Sequence, residues 1–283
     1  MKARGVIARR GLLAAGAAAL GAPAQAQADA FPRRPITIIA PLSPGGPVDV
    51  LARILAAGFQ ARTGQPAAVE NRTGGAGNIG IDAVRRAPAD GTTMLVIPAG
   101  NLTINPTLLR NLPFDVERDF APVAMLATAP NVIIAQPALP ARDIAGLVAL
   151  ARQRPLSYGS PGVGSQLHLA MELLTQKADI PLTHVPYRGT GPALNDLIAG
   201  RIELMASNLP ALLPAIQAGQ ARALAMTTAA RSTVIPEVPT LTEAGFAMDV
   251  TSWYGLLVPR ATPAPVVAAI FAEAERVLRA PET

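Results

Sequence analysis

The chain has 283 residues, of which 50% are hydrophobic and 15% are charged. This composition is typical of a globular protein with a packed core and excludes a disordered chain. The absence of cysteine excludes a disulfide scaffold, a cysteine-ligated zinc site and a cysteine nucleophile. Aromatic residues at 4% leave no stacking surface for single-stranded nucleic acid.

The first 28 residues predict an export signal. A basic segment, an apolar stretch at 11–22 and A-x-A cleavage sites at 24–28 follow one another in the order of a secretory signal. The basic residues are Lys2, Arg4, Arg9 and Arg10. Cleavage after Ala26 or Ala28 removes these four charges and no acidic residue, which lowers the formal net charge from +5 to +1. The arginine pair leaves the twin-arginine route open as an alternative. No basic stripe remains that would favour nucleic acid as a partner.

Beyond the signal, the chain repeats one pattern: a strand, a loop of small residues and a helix. The strand predicted at 35–40 leads through a proline- and glycine-rich loop at 43–47 into a helix with apolar residues at 48, 51, 55 and 59. Further strands are predicted at 66–70, 92–97, 157–159, 183–185, 201–207 and 221–227. Further helices are predicted at 81–87, from 167 onward, up to Gly200, and from the N-cap Asn208 to Gly219. This alternation favours parallel α/β sheets.

Two of the loops, at 43–47 and 160–165, are candidates for an anion site. A glycine-containing turn between a strand and a helix directs unpaired backbone N–H groups and the positive end of the helix toward one point. The two loops lie far apart in the sequence, so we place them on different lobes. If they face each other, they form a pincer for a carboxylate or a phosphate. The alternative is that both are ordinary connections of an α/β fold.

Residues 75–80 fit the dinucleotide motif G-x-G-x-x-G, but the rest of that site is missing. The next strand ends at 96–101 without an acidic residue to hold a ribose and without a nearby arginine for a ribose phosphate. Nicotinamide-nucleotide binding is therefore not predicted, and no cofactor is expected.

Catalytic and metal-binding patterns are sparse. The chain has two histidines, and neither has metal-ligand spacing, so we predict no metal site and no catalytic residue. Ser160 lacks the first glycine of the G-x-S-x-G elbow. His168 follows Ser165 by three residues and either caps a helix or faces the cleft, whereas His184 lies in a strand and is interpreted as a packed side chain. Asp49 is interpreted first as a helix-dipole partner and second as a ligand contact.

A series of short motifs runs along the whole chain in a fixed order. They are Pro41-x-x-Pro44-Gly45-Gly46-Pro47-x-Asp49, Val69-Glu70-Asn71-Arg72-x-Gly74-Gly75-Ala76-Gly77-Asn78-Ile79-Gly80, Asp90-Gly91-x-Thr93, Ile104-Asn105-Pro106, Leu112-Pro113-Phe114-Asp115, Asp119-Phe120-Ala121-Pro122-Val123, Tyr158-Gly159-Ser160-x-Gly162-x-Gly164-Ser165-x-x-His168-Leu169, His184-Val185-Pro186-Tyr187-Arg188-Gly189, Asn208-Leu209-Pro210, Arg222-Ala223-Leu224-Ala225 and Ser252-Trp253-Tyr254-Gly255-Leu256. This series resembles the Bug family, the TctC-type periplasmic solute receptors of tripartite tricarboxylate transporters.

The resemblance implies a type II periplasmic binding protein fold, in which two α/β lobes joined by crossover strands trap a carboxylate in the cleft between them. Lobe one is expected at 29–128 plus 250–283, and lobe two at 129–249. The implied partners are a small carboxylate and the membrane permease subunits of a tripartite transporter. The implied location is the periplasm, and the implied oligomeric state is a monomer.

The family motifs also imply ligand contacts, carried over by position. On the side of lobe one they are Ser43, Gly45, Gly46, Asp49, Asn78 and Thr128. On the side of lobe two they are Gly162, Gly164, Ser165, His168, Tyr187, Arg188 and Asn208. Among these, Arg188 is the one cation that would pair with a second carboxylate; the alternative is that it is a surface residue of its loop.

The sequence departs from the family pattern at two places. Many relatives have an aspartate where this chain has Ser207, and the loss of that carboxylate would remove repulsion toward an anion or a partner for an amine. The sequence also stops at 279–283, where the family continues. We therefore expect either a truncated chain or a first lobe that is finished differently.

These observations predict an exported, non-enzymatic receptor that closes around a small organic carboxylate. Two alternatives remain at this point. One is a sensory protein that hands its ligand-bound state to a membrane histidine kinase. The other is a serine hydrolase that uses Ser160 or Ser165.

Overall fold

The computed structural model describes residues 31–32, 34–281 and 283, so the predicted export signal at 1–28 lies outside the described residues. The strands are β1 (Ile36–Ala40), β2 (Ala67–Asn71), β3 (Thr93–Pro98), β4 (Phe120–Ala129), β5 (Asn131–Ala135), β6 (Leu156–Ser160), β7 (Leu182–Pro186), β8 (Leu204–Asn208), β9 (Arg222–Met226) and β10 (Ser252–Pro259). The helices are α1 (Pro47–Thr63), α2 (Asn78–Arg85), α3 (Ala99–Thr103), α4 (Asn105–Leu108), α5 (Val116–Asp119), α6 (Ile144–Gln153), α7 (Gln166–Ala178), α8 (Thr190–Ile198), α9 (Leu209–Gln217) and α10 (Ala264–Leu278). A 3₁₀ turn at Gly75–Gly77 precedes α2.

The strands form two five-stranded sheets, which define the two lobes. Lobe one has the order β2-β1-β3-β10-β4, and lobe two has the order β7-β6-β8-β5-β9. The sheets are mixed, which corrects the prediction of parallel sheets: β10 runs antiparallel to β3 and β4, and β5 runs antiparallel to β8 and β9. Both reversed strands enter their sheet from the other lobe. They do not arrive through a helical crossover, which is the connection that makes neighbouring strands parallel.

Each sheet is covered by helices on both faces. In lobe one, α1 and α10 bury one face around Ile38 and Phe59, and α2 buries the other around Ile39 and Ile81. In lobe two, α6 and α7 cover one face, and α8 and α9 cover the other. Strands buried on both faces are continuous apolar runs, which explains why the segment at 36–40 lacks strict alternation.

Most strand predictions are confirmed to within a few residues, but α2 begins three residues before its predicted start. Gly77 has a positive φ of 94° and acts as the N-cap of α2, so the helix begins at Asn78 and not at Ile81. Position 80, in the first turn of this helix, requires glycine, because a Cβ there would lie 2.7 Å from the carbonyl oxygen of Arg72. Among the described residues, no helix is long and apolar enough to cross a membrane.

Candidate functional site

A small enclosed cavity lies between the two lobes, where the carboxyl ends of several strands of both sheets meet. Its volume is about 50 Å³, and we call it the inner cavity. It is lined by Leu42, Ser43, Gly46, Pro47, Val48, Ala76, Pro98, Gly100, Asn101, Pro161, Gly162, Val163, Ser165, Gln166, Leu167, Gly189, Thr190, Asn208, Ser252 and Tyr254. No charged side chain is among them. Open α/β sheets bind ligands at this edge.

The N-termini of four helices open onto the inner cavity. They are those of α1, α7, α8 and α9, in addition to the short helix α3, and α1 and α7 follow the two loops predicted from the sequence. At α1, α8 and α9 the N-cap residues Gly46, Gly189 and Asn208 supply no side-chain hydrogen bond to the first turn. The first N–H groups of a helix have no partner within the helix, so the ends of α1 and α8 present donors and positive potential to the cavity. At α9 the Leu209 N–H donates to the Pro130 carbonyl at 2.8 Å and Pro210 has no N–H, so this end contributes mainly positive potential.

The loop at 43–47 is held in shape by Asp49. The buried carboxylate of Asp49 accepts hydrogen bonds from the Gly45 N–H at 3.0 Å, from Arg53 Nε at 2.9 Å and from Asn71 Nδ2 at 2.9 Å. Burial alone would raise the pKa of Asp49, but the three hydrogen bonds together lower it. All three partners belong to the protein, so Asp49 positions the loop and does not line the cavity.

The loop at 162–165 is held from below by α7. Ser165 is the N-cap of α7, and its hydroxyl accepts from the His168 N–H at 3.1 Å. The ring of His168 in turn accepts from the Gly164 N–H through Nδ1 at 3.3 Å. The sequence left open whether His168 caps the helix or faces the cleft. In the structure, Ser165 is the cap and the His168 ring anchors the loop.

The two histidine rings are stacked beneath this loop. The centroids of the His168 and His184 rings are 4.1 Å apart, and the Tyr158 ring also stacks on His184, with a centroid distance of 4.9 Å. The Tyr158 hydroxyl donates to Glu172. Burial, and then the nearby His168, lowers the pKa of His184 to about 4, and burial also lowers the pKa of His168. Both rings are therefore uncharged at neutral pH.

Ser160 also belongs to this cluster. Its Oγ lies 2.7 Å from His184 Nε2. The residue is fully buried, and its hydroxyl is also within hydrogen-bond distance of the backbone of Gly162. A nucleophilic serine must reach a substrate, so this contact serves to hold the turn after β6. His184 is packed, in agreement with its interpretation from the sequence.

A buried polar network joins the lobes at the floor of the inner cavity. Asn131, the first residue of β5, accepts through Oδ1 from Asn208 Nδ2 at 2.7 Å and from Ser252 Oγ at 2.9 Å. Its amide nitrogen donates to the Val250 carbonyl at 2.9 Å. The Tyr254 hydroxyl donates to Asn208 Oδ1 at 2.6 Å. The Asn208 side chain is thus engaged at the crossover between the lobes, which explains why it does not cap α9.

The lobes also contact each other on both sides of the cavity. Ser43 donates to the carbonyl of Arg188 through its N–H at 3.0 Å and through Oγ at 2.7 Å. Elsewhere, Gly100 of lobe one lies against Gly164, whose carbonyl oxygen would be 2.5 Å from a Cβ at position 100. The two loops predicted as a pincer face each other across the cleft, since both line the inner cavity.

A wider cavity continues outward from the inner one. This outer cavity has a volume of about 590 Å³ and shares Leu42, Ala76 and residues 161–163 with the inner cavity. Asn78, Tyr187 and Arg188 line it. The Tyr187 hydroxyl donates to Asp196 at 2.8 Å, and burial together with that bond raises the pKa of Tyr187 to about 12.

The structure thus distributes the predicted site residues among three positions. Ser43, Gly46, Gly162, Ser165 and Asn208 line the inner cavity, and Asn78, Tyr187 and Arg188 line the outer one. Gly45, Asp49, Gly164 and His168 support the loops from behind. Thr128 is exposed on β4, opposite Trp253, and lines neither cavity.

Several residues at the site were not singled out by sequence reasoning. One is Thr190, whose hydroxyl shares a hydrogen bond of 2.8 Å with Ser207 below the cavity. Asn131 carried no motif, and Ser252 and Tyr254 were quoted in a motif without a role. The signal available for Asn131 was a polar residue between Pro130 and a run of buried apolar residues. In the described part of the chain, no cluster of three or more acidic, histidine or cysteine side chains is placed to hold a metal ion.

Two α/β lobes with an uncharged cavity between the carboxyl ends of their strands define the class of two-lobed solute-binding proteins. Residues 51–283 match the family model described as the tripartite tricarboxylate transporter family receptor. The chain belongs to this family. It is a receptor and not an enzyme, and the hydrolase alternative is not favoured.

Relatives and solved structures agree with this assignment. BugT of Bordetella pertussis is 37% identical over 254 residues, which cover 88% of this chain and 78% of BugT. A structure from R. palustris with adipate has 37% identity and a TM-score of 0.86, with 89% of this chain and 85% of that chain covered. MatC from Rhodopseudomonas palustris with bound malate has 32% identity and a TM-score of 0.84, with 89% and 87% covered.

Proposed function

We propose that this chain is a periplasmic receptor that captures a small organic carboxylate and presents it to the membrane permease subunits of a tripartite transporter. The main observation in support of this proposal is the inner cavity, where helix N-termini without side-chain caps surround a space that contains no charged side chain. Backbone donors of this kind stabilise an anion, and an acidic side chain, which would repel it, is absent from the lining.

In this proposal the carboxylate lies against Ser43 and Gly46 of lobe one and against Gly162 and Ser165 of lobe two. Gly45, Asp49, Gly164 and His168 keep the two loops in position, while Asn208 forms part of the floor. Asn78, Tyr187 and Arg188 face the outer part of the ligand. Thr128 has no role at either cavity.

The proposed working cycle is a hinge closure of two lobes. The boundaries are those expected from the sequence, 29–128 plus 250–283 for lobe one and 129–249 for lobe two. Closure brings the two loops onto the anion and excludes water, which strengthens the amide contacts, and opening releases the ligand. Cleavage after Ala26 or Ala28 yields the exported monomer.

Bound solved relatives support the ligand class. The neighbours with 37% and 32% identity were solved with adipate and malate, which are both dicarboxylates. BugT and MatC belong to the same group of related proteins as this chain. The polar lining here comes from hydroxyls, amides and backbone, so it recognises a carboxylate without a buried ion pair.

A thermal-shift screen of the purified protein against mono-, di- and tricarboxylates tests the proposal. A ligand at a hundredfold its Kd stabilises the folded state by about 2.7 kcal/mol, which is several degrees for a chain of this size. Gly46→Val, which places a side chain in the inner cavity, is expected to abolish this shift. Ala61→Val, on the exposed side of α1, is the matched control and keeps it. A cooperative melt that no carboxylate shifts contradicts the proposal.

A further inference from the structure

The outer cavity contains charge that the inner cavity lacks. Two arginines line it, Arg110 from the segment after α4 in lobe one and Arg188 from the loop before α8 in lobe two. No acidic side chain lines either cavity. The outer cavity therefore has a positive character contributed by both lobes.

These two guanidinium groups make no hydrogen bond or ion pair with another residue that the structure describes. Nearly every arginine in the described ranges 34–281 donates to a carboxylate or to backbone carbonyls. The side chains without a hydrogen bond or ion pair to a described residue are those of Arg110, Arg142, Arg188 and Arg260. Two of these four line the same cavity, next to the proposed carboxylate site.

The backbone of Arg188 is fixed by the contact between the lobes. Its carbonyl accepts both the N–H and the hydroxyl of Ser43, so its loop is held against lobe one. Arg110 projects from lobe one itself. The two cations share one cavity only while the lobes are in contact, which makes them a clamp that closure assembles.

The passage between the inner and outer cavities is apolar. The residues common to both linings are Leu42, Ala76, Pro161, Gly162 and Val163. None of their side chains offers a hydrogen bond to a hydroxyl or an amine on the ligand. A methylene chain fits this passage better than a polar one, because a polar group placed there would lose its hydrogen bonds to water.

We infer that Arg110 and Arg188 form a distal anion site and that the ligand is a linear aliphatic dicarboxylate. One carboxylate lies in the inner cavity, the methylene chain crosses the apolar passage, and the second carboxylate binds the two guanidinium groups. Guanidinium pairs carboxylates with directed, charge-assisted hydrogen bonds, which suits a terminal carboxylate. This inference rests on the proposed function and adds the substrate class and one residue, Arg110, that no motif assigned.

Calorimetric titration with two ligand series tests the inference. The series are saturated α,ω-dicarboxylates of increasing length and the monocarboxylates of the same lengths. The unmodified protein is expected to prefer dicarboxylates above a threshold length. Arg110→Gln and Arg188→Gln are each expected to weaken dicarboxylate binding about tenfold and to leave monocarboxylate binding unchanged.

Arg260→Gln and Arg142→Gln are matched controls, because they remove unengaged arginines outside the outer cavity. They are expected to leave both series unchanged. If both cavity variants bind dicarboxylates as tightly as the controls do, the clamp is wrong and the proposed receptor function stands. If neither series binds the folded, unmodified protein, the proposed function fails and the clamp fails with it.

Discussion

Position 100 must be glycine because of a contact with the other lobe. It is part of α3, where alanine suits the backbone, yet a Cβ would meet the Gly164 carbonyl oxygen at 2.5 Å. The approach of the lobes thus requires the glycine. Reasoning from the sequence found the glycines of the two loops because they follow strands, but the partner of Gly100 is distant in the chain and left no local signal.

Gly100→Ala is expected to weaken carboxylate binding about tenfold, because overpacking at the contact opposes closure. The melting midpoint without ligand is expected to stay at or above that of the unmodified protein, since alanine favours the helix. Calorimetric titration and a thermal melt measure the two quantities. Gly191→Ala is the control, because its Cβ would meet its nearest atom, the Pro44 carbonyl oxygen, at an ordinary 3.6 Å. Equal affinities for the two variants would contradict the prediction.

His184 is expected to make the folded state less stable as the pH falls. Its pKa is lowered from 6.5 to about 4 by burial and by His168, whereas an unfolded chain takes up the proton near 6.5. The unfolded state therefore binds more protons between these values, and stability is lost as the pH decreases through this window. The groups facing the ring are Tyr158 and Ser160 from β6, and His168 and Glu172 from α7.

His184→Gln keeps a polar partner for Ser160 and does not titrate. Denaturant unfolding at pH 6.5 and at pH 5 measures the effect, and this interval lies above the ordinary pKa values of carboxylates. The unmodified protein is expected to lose more free energy of unfolding over the interval than His184→Gln does. A variant with the same pH dependence as the unmodified protein would assign the loss to His168 or to other groups.

At the scale of elements, the crossover between the lobes depends on one asparagine. Asn131 stands where β4 ends and β5 begins, and it engages Asn208, Ser252 and the carbonyl of Val250. Asn208 and Ser252 are buried and lose an acceptor if the amide is removed, whereas the Val250 carbonyl keeps the hydrogen bond from Thr227 Oγ1 at 2.7 Å. The network therefore fixes the geometry of the hinge, and its members come from three separate parts of the chain.

Asn131→Leu is expected to lower the free energy of unfolding by about 3 kcal/mol, because it leaves the buried donors Asn208 Nδ2 and Ser252 Oγ unpaired. Urea unfolding measures the difference. Asn195→Leu is the control, since Asn195 is exposed on α8, and its substitution is expected to change stability by less than about 0.5 kcal/mol. A loss of stability for Asn131→Leu no larger than that of the control would show that the Asn131 network does not stabilise the crossover between the lobes.

The elements differ in how well the sequence predicted them. Strands β1, β2 and β3 were predicted because β-branched or apolar runs end at proline- and glycine-containing loops. No element was predicted for β4, β5 or β10. β4 carries Pro122 on an edge strand, and its pairing with β10 has two register shifts, so its inward and outward residues do not alternate.

At the scale of the whole molecule, the local pattern predicted the α/β class, and the family resemblance supplied the two lobes. The reversal of β5 and β10 was not predicted, because the direction of a strand depends on which lobe the chain has just left. The meeting of the loops at 43–47 and 160–165 was a conditional prediction, and the structure confirms it because both loops line the inner cavity. The contacts of Gly100 and Asn131 join segments that are distant in the sequence, so the local sequence pattern could not predict them.

The central place of β10 in the sheet of lobe one has a consequence for the order in which the chain folds. All strands of lobe two lie between Asn131 and Met226, so that sheet is complete as soon as this continuous stretch has been synthesised. The sheet of lobe one waits for Ser252–Pro259, because β10 lies between β3 and β4 and these two strands do not pair with each other. Until then β3 has an open edge, which invites pairing with other chains. Lobe two is therefore expected to fold first, and the arrival of β10 closes the edge and completes the hinge in one step.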